Sequence, residues 1–133
     1  MNKVCSIFSQ ILQLISRTEF EVLVRRRKAE RHARGFSSWG QFVAMWFCQL
    51  GGAKSLREIT GGLAASEGKL RHLGLAQAPA RSTLAYANEH RPWELYQDVF
   101  QQLLGRGQAL AASGAGPQAK FRCKHKLMSL QPA

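Results

Sequence analysis

At 133 residues the chain is long enough for one domain with a modest core and too short for two. Its 19 Lys and Arg against 8 Asp and Glu leave a net charge of +11, an excess that suits a polyanion such as DNA, RNA or an acidic membrane surface. No apolar run approaches the roughly 18 residues that span a bilayer, so no membrane-spanning helix is expected.

The predicted elements begin with Val4, Phe8, Ile11, Leu12 and Ile15, whose helical spacing predicts an amphipathic helix over about residues 4–16. Ser6, Ser9, Gln10 and Gln13 interrupt its apolar face, so it is not a signal-peptide core, and a cytoplasmic location is expected. Thr18 is placed to cap a second helix, with Glu19 and Glu21 in its first turn and Phe20, Leu23 and Val24 on its buried side. That helix runs into RRRKAERHAR, residues 25–34, where Arg25, Arg26, Arg27, Lys28, Arg31 and Arg34 stand against the single acid Glu30. Positive charge suits a helix C-terminus, so part of the run compensates the helix dipole. Six cations exceed that need, which leaves phosphate contact or a merely solvated face.

Gly35 breaks the run, and Ser37 or Ser38 can cap a third helix. In WGQFVAMWFCQL, Trp39, Phe42, Val43, Trp46, Phe47 and Leu50 follow the spacing i, i+3, i+4, i+7, i+8, i+11, which predicts the core helix, with Cys48 in its apolar pattern and Gly51-Gly52 as its stop. Ser55 is expected to cap a helix over 55–65, with Leu56, Ile59 and Leu63 inward and Arg57, Glu58 and Thr60 outward. A short helix at 67–73 carries Lys69, Arg71 and His72 outside and Leu70 and Leu73 inside, and Gly74 ends it. A polar helix follows at 82–90, flanked by Arg81 and Arg91. Pro92 suits a first helical position, and Trp93, Tyr96, Phe100 and Leu103 predict a last apolar stripe to about residue 105. No segment alternates as a strand does. The expected fold is therefore all-α, a small bundle of five to six short helices over residues 1–110, with residues 111–133 a disordered basic tail.

Catalysis is poorly supplied in this sequence. Asp98 is its one aspartate, the seven glutamates are scattered singly, and two-metal chemistry needs several carboxylates that converge. Gly51-Gly52 and Gly61-Gly62 lack the lysine and spacing of a phosphate loop. Cys5, Cys48 and Cys123 lie far apart, form no CxxC pair, and read as free thiols. No catalytic residue, metal site, cofactor or small-molecule substrate is expected.

DNA reading is better supplied. Helices at 55–65, 67–73 and 82–90, joined by tight turns, are what a helix-turn-helix-like unit requires, with 82–90 as the reader. Ser82 and Thr83 sit where hydroxyls and free backbone N–H groups grip phosphate. Tyr86 and Asn88 project further along, and Asn can bond adenine with both ends of its amide. Arg57, Lys69, Arg71, Arg81 and Arg91 complete the expected DNA-facing set with the 25–34 cluster. Each of these residues also has a plain reading: Ser82 as a cap, Tyr86 packed on a neighbour, Asn88 as a helix stop.

The stretches FSSWGQFVAMWFCQLGGAKSLREITGGL, LRHLGL and PARSTLAYANEHRPWELYQDVF, in this order, resemble the N-terminal domain of bacterial transposases of the insertion-sequence-four family. FSQILQLISRTEF resembles the start of that domain, and the likeness covers about residues 4–105, with SLREI and RSTLAYAN its most specific parts. The resemblance implies double-stranded DNA, the inverted-repeat ends of a mobile element, as the partner. In that family a catalytic domain with an RNase-H-like fold and metal-binding Asp, Asp and Glu follows. Here the chain departs from about residue 111 into the low-complexity tail, as a truncated or frameshifted copy would, and no catalytic position carries over. The alternative expectation is a protein-interaction or inhibitory module that acts on full-length transposase and limits its activity, or that self-associates.

Overall fold

A computed structural model describes residues 3–31 and 33–113. Among these residues six α-helices and one 3-10 helix follow one another without a strand. They are α1 (Lys3–Gln13), α2 (Arg17–Arg27), α3 (Ser38–Gly51), α4 (Leu56–Ala65), the 3-10 helix (Glu67–Leu73), α5 (Arg81–His90) and α6 (Glu94–Ser113). The expected all-α bundle is what the chain forms.

The core is assembled around the first half of α3. Trp39, Phe42 and Val43 are buried there, with Phe20 of α2 set against both aromatic rings at centroid distances of 5.3 and 5.1 Å. Such offset and edge-on pairs add to the burial of their area. The Trp39 indole N–H would be costly to bury alone, and it donates to the Leu73 carbonyl at 2.9 Å, tying α3 to the 3-10 helix. Phe8, Leu12 and Ile15 close one side of this core, Ile59, Leu63, Leu70 and Leu84 another, and Leu95 and Val99 of α6 a third. Each fully buried side chain of this size contributes about 1.5–3 kcal/mol.

Local signals set several boundaries. The Ser37 hydroxyl accepts from the Gly40 N–H at 3.0 Å and caps α3, and Glu30 accepts from the Ser38 N–H. The lone acid of the basic run is thus placed at a helix N-terminus, where the dipole favours it. Gly52 in the left-handed conformation ends α3, and Ser55 caps α4 by accepting from the Glu58 N–H. Gly74, also left-handed, ends the 3-10 helix, as its sequence suggested. At Gly62 the reason for glycine is space: a Cβ there would lie 2.6 Å from the Phe47 ring, so α3 and α4 meet across it.

Other expectations are corrected. α1 ends at Gln13 rather than 16. Ser16, not Thr18, stands at the start of α2 and makes no side-chain cap bond. Leu50, at the end of the α3 stripe, is 43 % exposed, and Trp46 and Phe47 are only partly buried, because the bundle covers the first half of α3 more fully than its second. Thr60 is half-buried, its hydroxyl donating back to the Leu56 carbonyl. Helix α6 starts at Glu94, with the Trp93 carbonyl accepting its first bonds and Pro92 outside. Its buried face is Leu95 and Val99, while Trp93 and Phe100 are exposed. Of the expected stripe, Tyr96 and Leu103 do pack against the core, Tyr96 stacking on Phe42, and Trp93 and Phe100 lie outside it. Residues 111–113 belong to α6, not to a tail, and 114–133 lie outside the described residues.

No helix among the described residues is long and apolar enough to cross a membrane.

Candidate nucleic-acid interface

The basic run after α2 is shaped by one unusual residue. Lys28 takes the left-handed conformation at φ 53°, so its N–H and that of Ala29 fold back on the carbonyls of the last α2 turn. Glycine normally holds this cap position because a Cβ is disfavoured there. The consequence is a sharp turn at the end of α2, after which Lys28, Arg31 and Arg34 come to share a surface with α5.

Between the two lies an open cleft of about 990 Å³. Lys28, Arg31 and Arg34 line one side, and Ser82, Thr83, Tyr86 and Arg91 the other. Seven of the residues singled out in the sequence, from segments about fifty positions apart, thus share one surface. Tyr86 is 61 % exposed and stacks on His90, ring centroids 3.9 Å apart and planes 18° from parallel. His90 and Phe36 also line the cleft and were not singled out. The i, i+4 spacing of Tyr86 and His90 on one helix was the signal available for the first. Nothing local pointed to Phe36.

The remaining candidates fall into three groups. Arg25 and Arg26 are exposed on the last turn of α2, and Arg81 is exposed at the first turn of α5, near the cleft but outside its lining. Arg57, Lys69 and Arg71 are exposed on α4 and the 3-10 helix and line no part of it.

Arg27, Asn88 and the cleft-lining Arg91 are bonded to other side chains of the protein. Arg27 grips Asp98 of α6 through two parallel bonds, Nε to Oδ2 at 2.7 Å and Nη2 to Oδ1 at 2.8 Å. These bonds hold the Asp98 carboxyl below its ordinary value and raise the Arg27 guanidinium. Arg91 is half-buried, its guanidinium 5.4 Å over the Phe36 ring, donating to the Phe36 carbonyl and to Gln41 Oε1. Burial lowers its pKa, against the opposing field of Glu30. Asn88 is exposed overall, but its amide turns to α3, where the Gln41 Nε2–H donates to Asn88 Oδ1 at 2.8 Å. The spacing had Asn88 projecting beside Tyr86 towards bases. The structure instead commits its carbonyl to Gln41, which is only 3 % exposed and needs a partner.

The first turn of α5 differs from its expected capping. Ala80 is the N-cap and forms no side-chain cap bond, so Ser82 lies inside the helix rather than capping it. Its hydroxyl and that of Thr83 stand at the cleft beside N–H groups that no side chain caps. Among the described residues no three His, Cys, Asp or Glu side chains converge as metal ligands do.

Residues 4–76 match the model of a family described as a domain of unknown function, DUF4372. The chain belongs to this family. The match spans a little over half of it, from α1 through the turn after the 3-10 helix. The family's segment therefore contains the basic wall of the cleft, while α5 and α6 follow it. No curated protein and no solved structure matches the chain significantly.

Proposed function

We propose that the chain is a DNA-binding module whose contact surface is the cleft between residues 28–34 and α5. The observation that carries this reading is the meeting of Lys28, Arg31 and Arg34 with Ser82, Thr83 and Tyr86 across one open cleft, in a chain of net charge +11. Cations on one wall neutralise phosphate, and hydroxyls beside uncapped N–H groups on the other fix its position. In this reading α4, the 3-10 helix and α5 act as a helix-turn-helix-like unit, Tyr86 faces the DNA, and Asn88 and Arg91 hold α5 in place behind it.

The resemblance of residues 4–105 to the N-terminal domain of insertion-sequence-four transposases supports a narrower form. The DNA is then an inverted-repeat end, and the module acts in transposition, in the cytoplasm, without supplying catalytic carboxylates itself. A second reading, association with full-length transposase or another copy of the chain, is favoured by Trp93, just before α6, and by Phe100 and Leu110 on it, all of which stand exposed.

Selection from a pool of randomised duplexes tests the proposal. Enrichment of one sequence, retained against excess bulk DNA, is the expected result. Equal retention of all sequences removes end recognition, and no retention at low salt removes the DNA-binding reading altogether.

A further inference from the structure

We propose that Tyr86 and His90 form a stacking platform for an unpaired DNA base, so that the cleft receives a single-stranded segment beside the duplex; this rests on the DNA-binding reading above. The two rings stack at 3.9 Å and 18°, and both line the cleft. Tyr86 keeps 61 % of its surface exposed, so the pair still offers an open aromatic face. The platform is held in place, because His90 Nδ1 lies 3.0 Å from the Tyr86 carbonyl oxygen one turn back. A ring held in this way loses little freedom when a base stacks on it.

The opposite wall supplies charge complementarity. Lys28, Arg31 and Arg34 face the platform across a cleft of about 990 Å³, a space that holds a nucleotide with room for its neighbours. An aromatic face opposite cations is the arrangement by which proteins hold single strands, the ring taking the base and the cations the phosphates. Within an intact duplex both faces of every internal base are covered by its neighbours. The platform therefore gains a partner only where the stack is interrupted, at a frayed end, a gap or an overhang.

The experiment compares a blunt duplex with the same duplex carrying a short single-stranded overhang, titrated against the full chain by fluorescence anisotropy. A 5-iodouracil in the overhang allows photo-crosslinking and mapping of the contact. The wild-type chain is expected to bind the overhang duplex about ten-fold more tightly than the blunt one, with the crosslink at Tyr86 or His90. Tyr86→Ala should abolish both the preference and the crosslink, so that the overhang and blunt duplexes are bound equally. Tyr86→Phe should keep the preference, since the ring and not the hydroxyl is used. Tyr86 is largely exposed, and thermal unfolding of each variant confirms that the fold is intact. Equal affinity for the two duplexes overturns the platform and leaves the DNA-binding reading standing. Binding of neither overturns the reading itself, and tighter binding of an RNA overhang than a DNA one shows the occupant has been misassigned.

Discussion

At the scale of single residues, the polar side chains divide between those that hold α5 and those that face the cleft. Asn88 belongs to the first kind. Its carbonyl satisfies the buried Gln41, whose own carbonyl accepts from Arg91, so one chain of bonds fixes the end of α5 to α3. Removing one partner of a buried hydrogen bond leaves the other unsatisfied, at about 1–3 kcal/mol. Asn88→Ala should therefore lower unfolding free energy by about that amount in urea titrations, and its effect on DNA affinity should disappear where the fold is saturated. Lys28 shows the opposite balance. Its left-handed backbone costs roughly 1 kcal/mol that glycine would not incur, although glycine also loses more freedom on folding. Lys28→Gly should leave the fold as stable or up to about 1 kcal/mol more stable, while DNA affinity falls because a cation has left the cleft. A destabilised Lys28→Gly variant would show that the lysine side chain itself supports the turn.

At the scale of elements, neighbouring glycines of α4 make a paired test of how closely helices meet. Gly61 has open space where a Cβ would go, whereas at Gly62 the Phe47 ring stands 2.6 Å away. Gly61→Ala should stabilise the chain by about 0.5–1 kcal/mol through helix propensity alone. Gly62→Ala carries the same propensity gain against an overpacking cost of about 1–3 kcal/mol, so it should be neutral to destabilising. Thermal unfolding of the two variants side by side decides whether α3 and α4 are packed as described. The Arg27–Asp98 pair joins α2 to α6, and its pH dependence follows from the lowered Asp98 pKa. A carboxylate held below its ordinary value of 3.8 stabilises the fold above that pH, and the contribution is lost as pH falls through the folded-state value. Asp98→Asn should thus unfold at lower temperature than the wild type at pH 7, and the gap should narrow below about pH 4. A gap that persists in acid would assign the loss to packing rather than to charge.

At the scale of the whole molecule, the charge of +11 has consequences that no single contact carries. Binding to DNA should weaken steeply with salt as counterions are released, each phosphate contact contributing about 0.9 to the slope. Arg26, exposed and outside any ion pair described, should reduce that slope by about one phosphate when changed to alanine, equally on selected and scrambled duplexes. An unchanged slope would mean that α2 faces away from the DNA. Much of this chain was legible one residue after another. The helix order, the caps Ser37 and Ser55, the stops Gly52 and Gly74, and the basic run at 25–34 follow from hydrogen bonds and spacings that close within a few residues. Where a choice lay between two nearly equal local patterns, as on α6, the sequence alone was not enough. Trp93, Tyr96, Phe100 and Leu103 make as regular a stripe as Leu95 and Val99, and the packing of the bundle buries Leu95 and Val99, partly covers Tyr96 and Leu103, and leaves Trp93 and Phe100 exposed.

The sequence by itself determined the all-α class, the positive charge and most helix limits, because periodicity, capping and composition act locally or by sum. The tertiary structure decided which of six cations in one run are free. Arg27 is bound to a carboxylate 71 positions away, while Lys28, Arg31 and Arg34 line the cleft with Tyr86. It likewise turned Asn88 to Gln41, 47 positions earlier, and away from the role its type suggested. Contacts at such separations depend on how helices pack, and packing is settled by the sum of buried surfaces over the whole bundle rather than by any one segment.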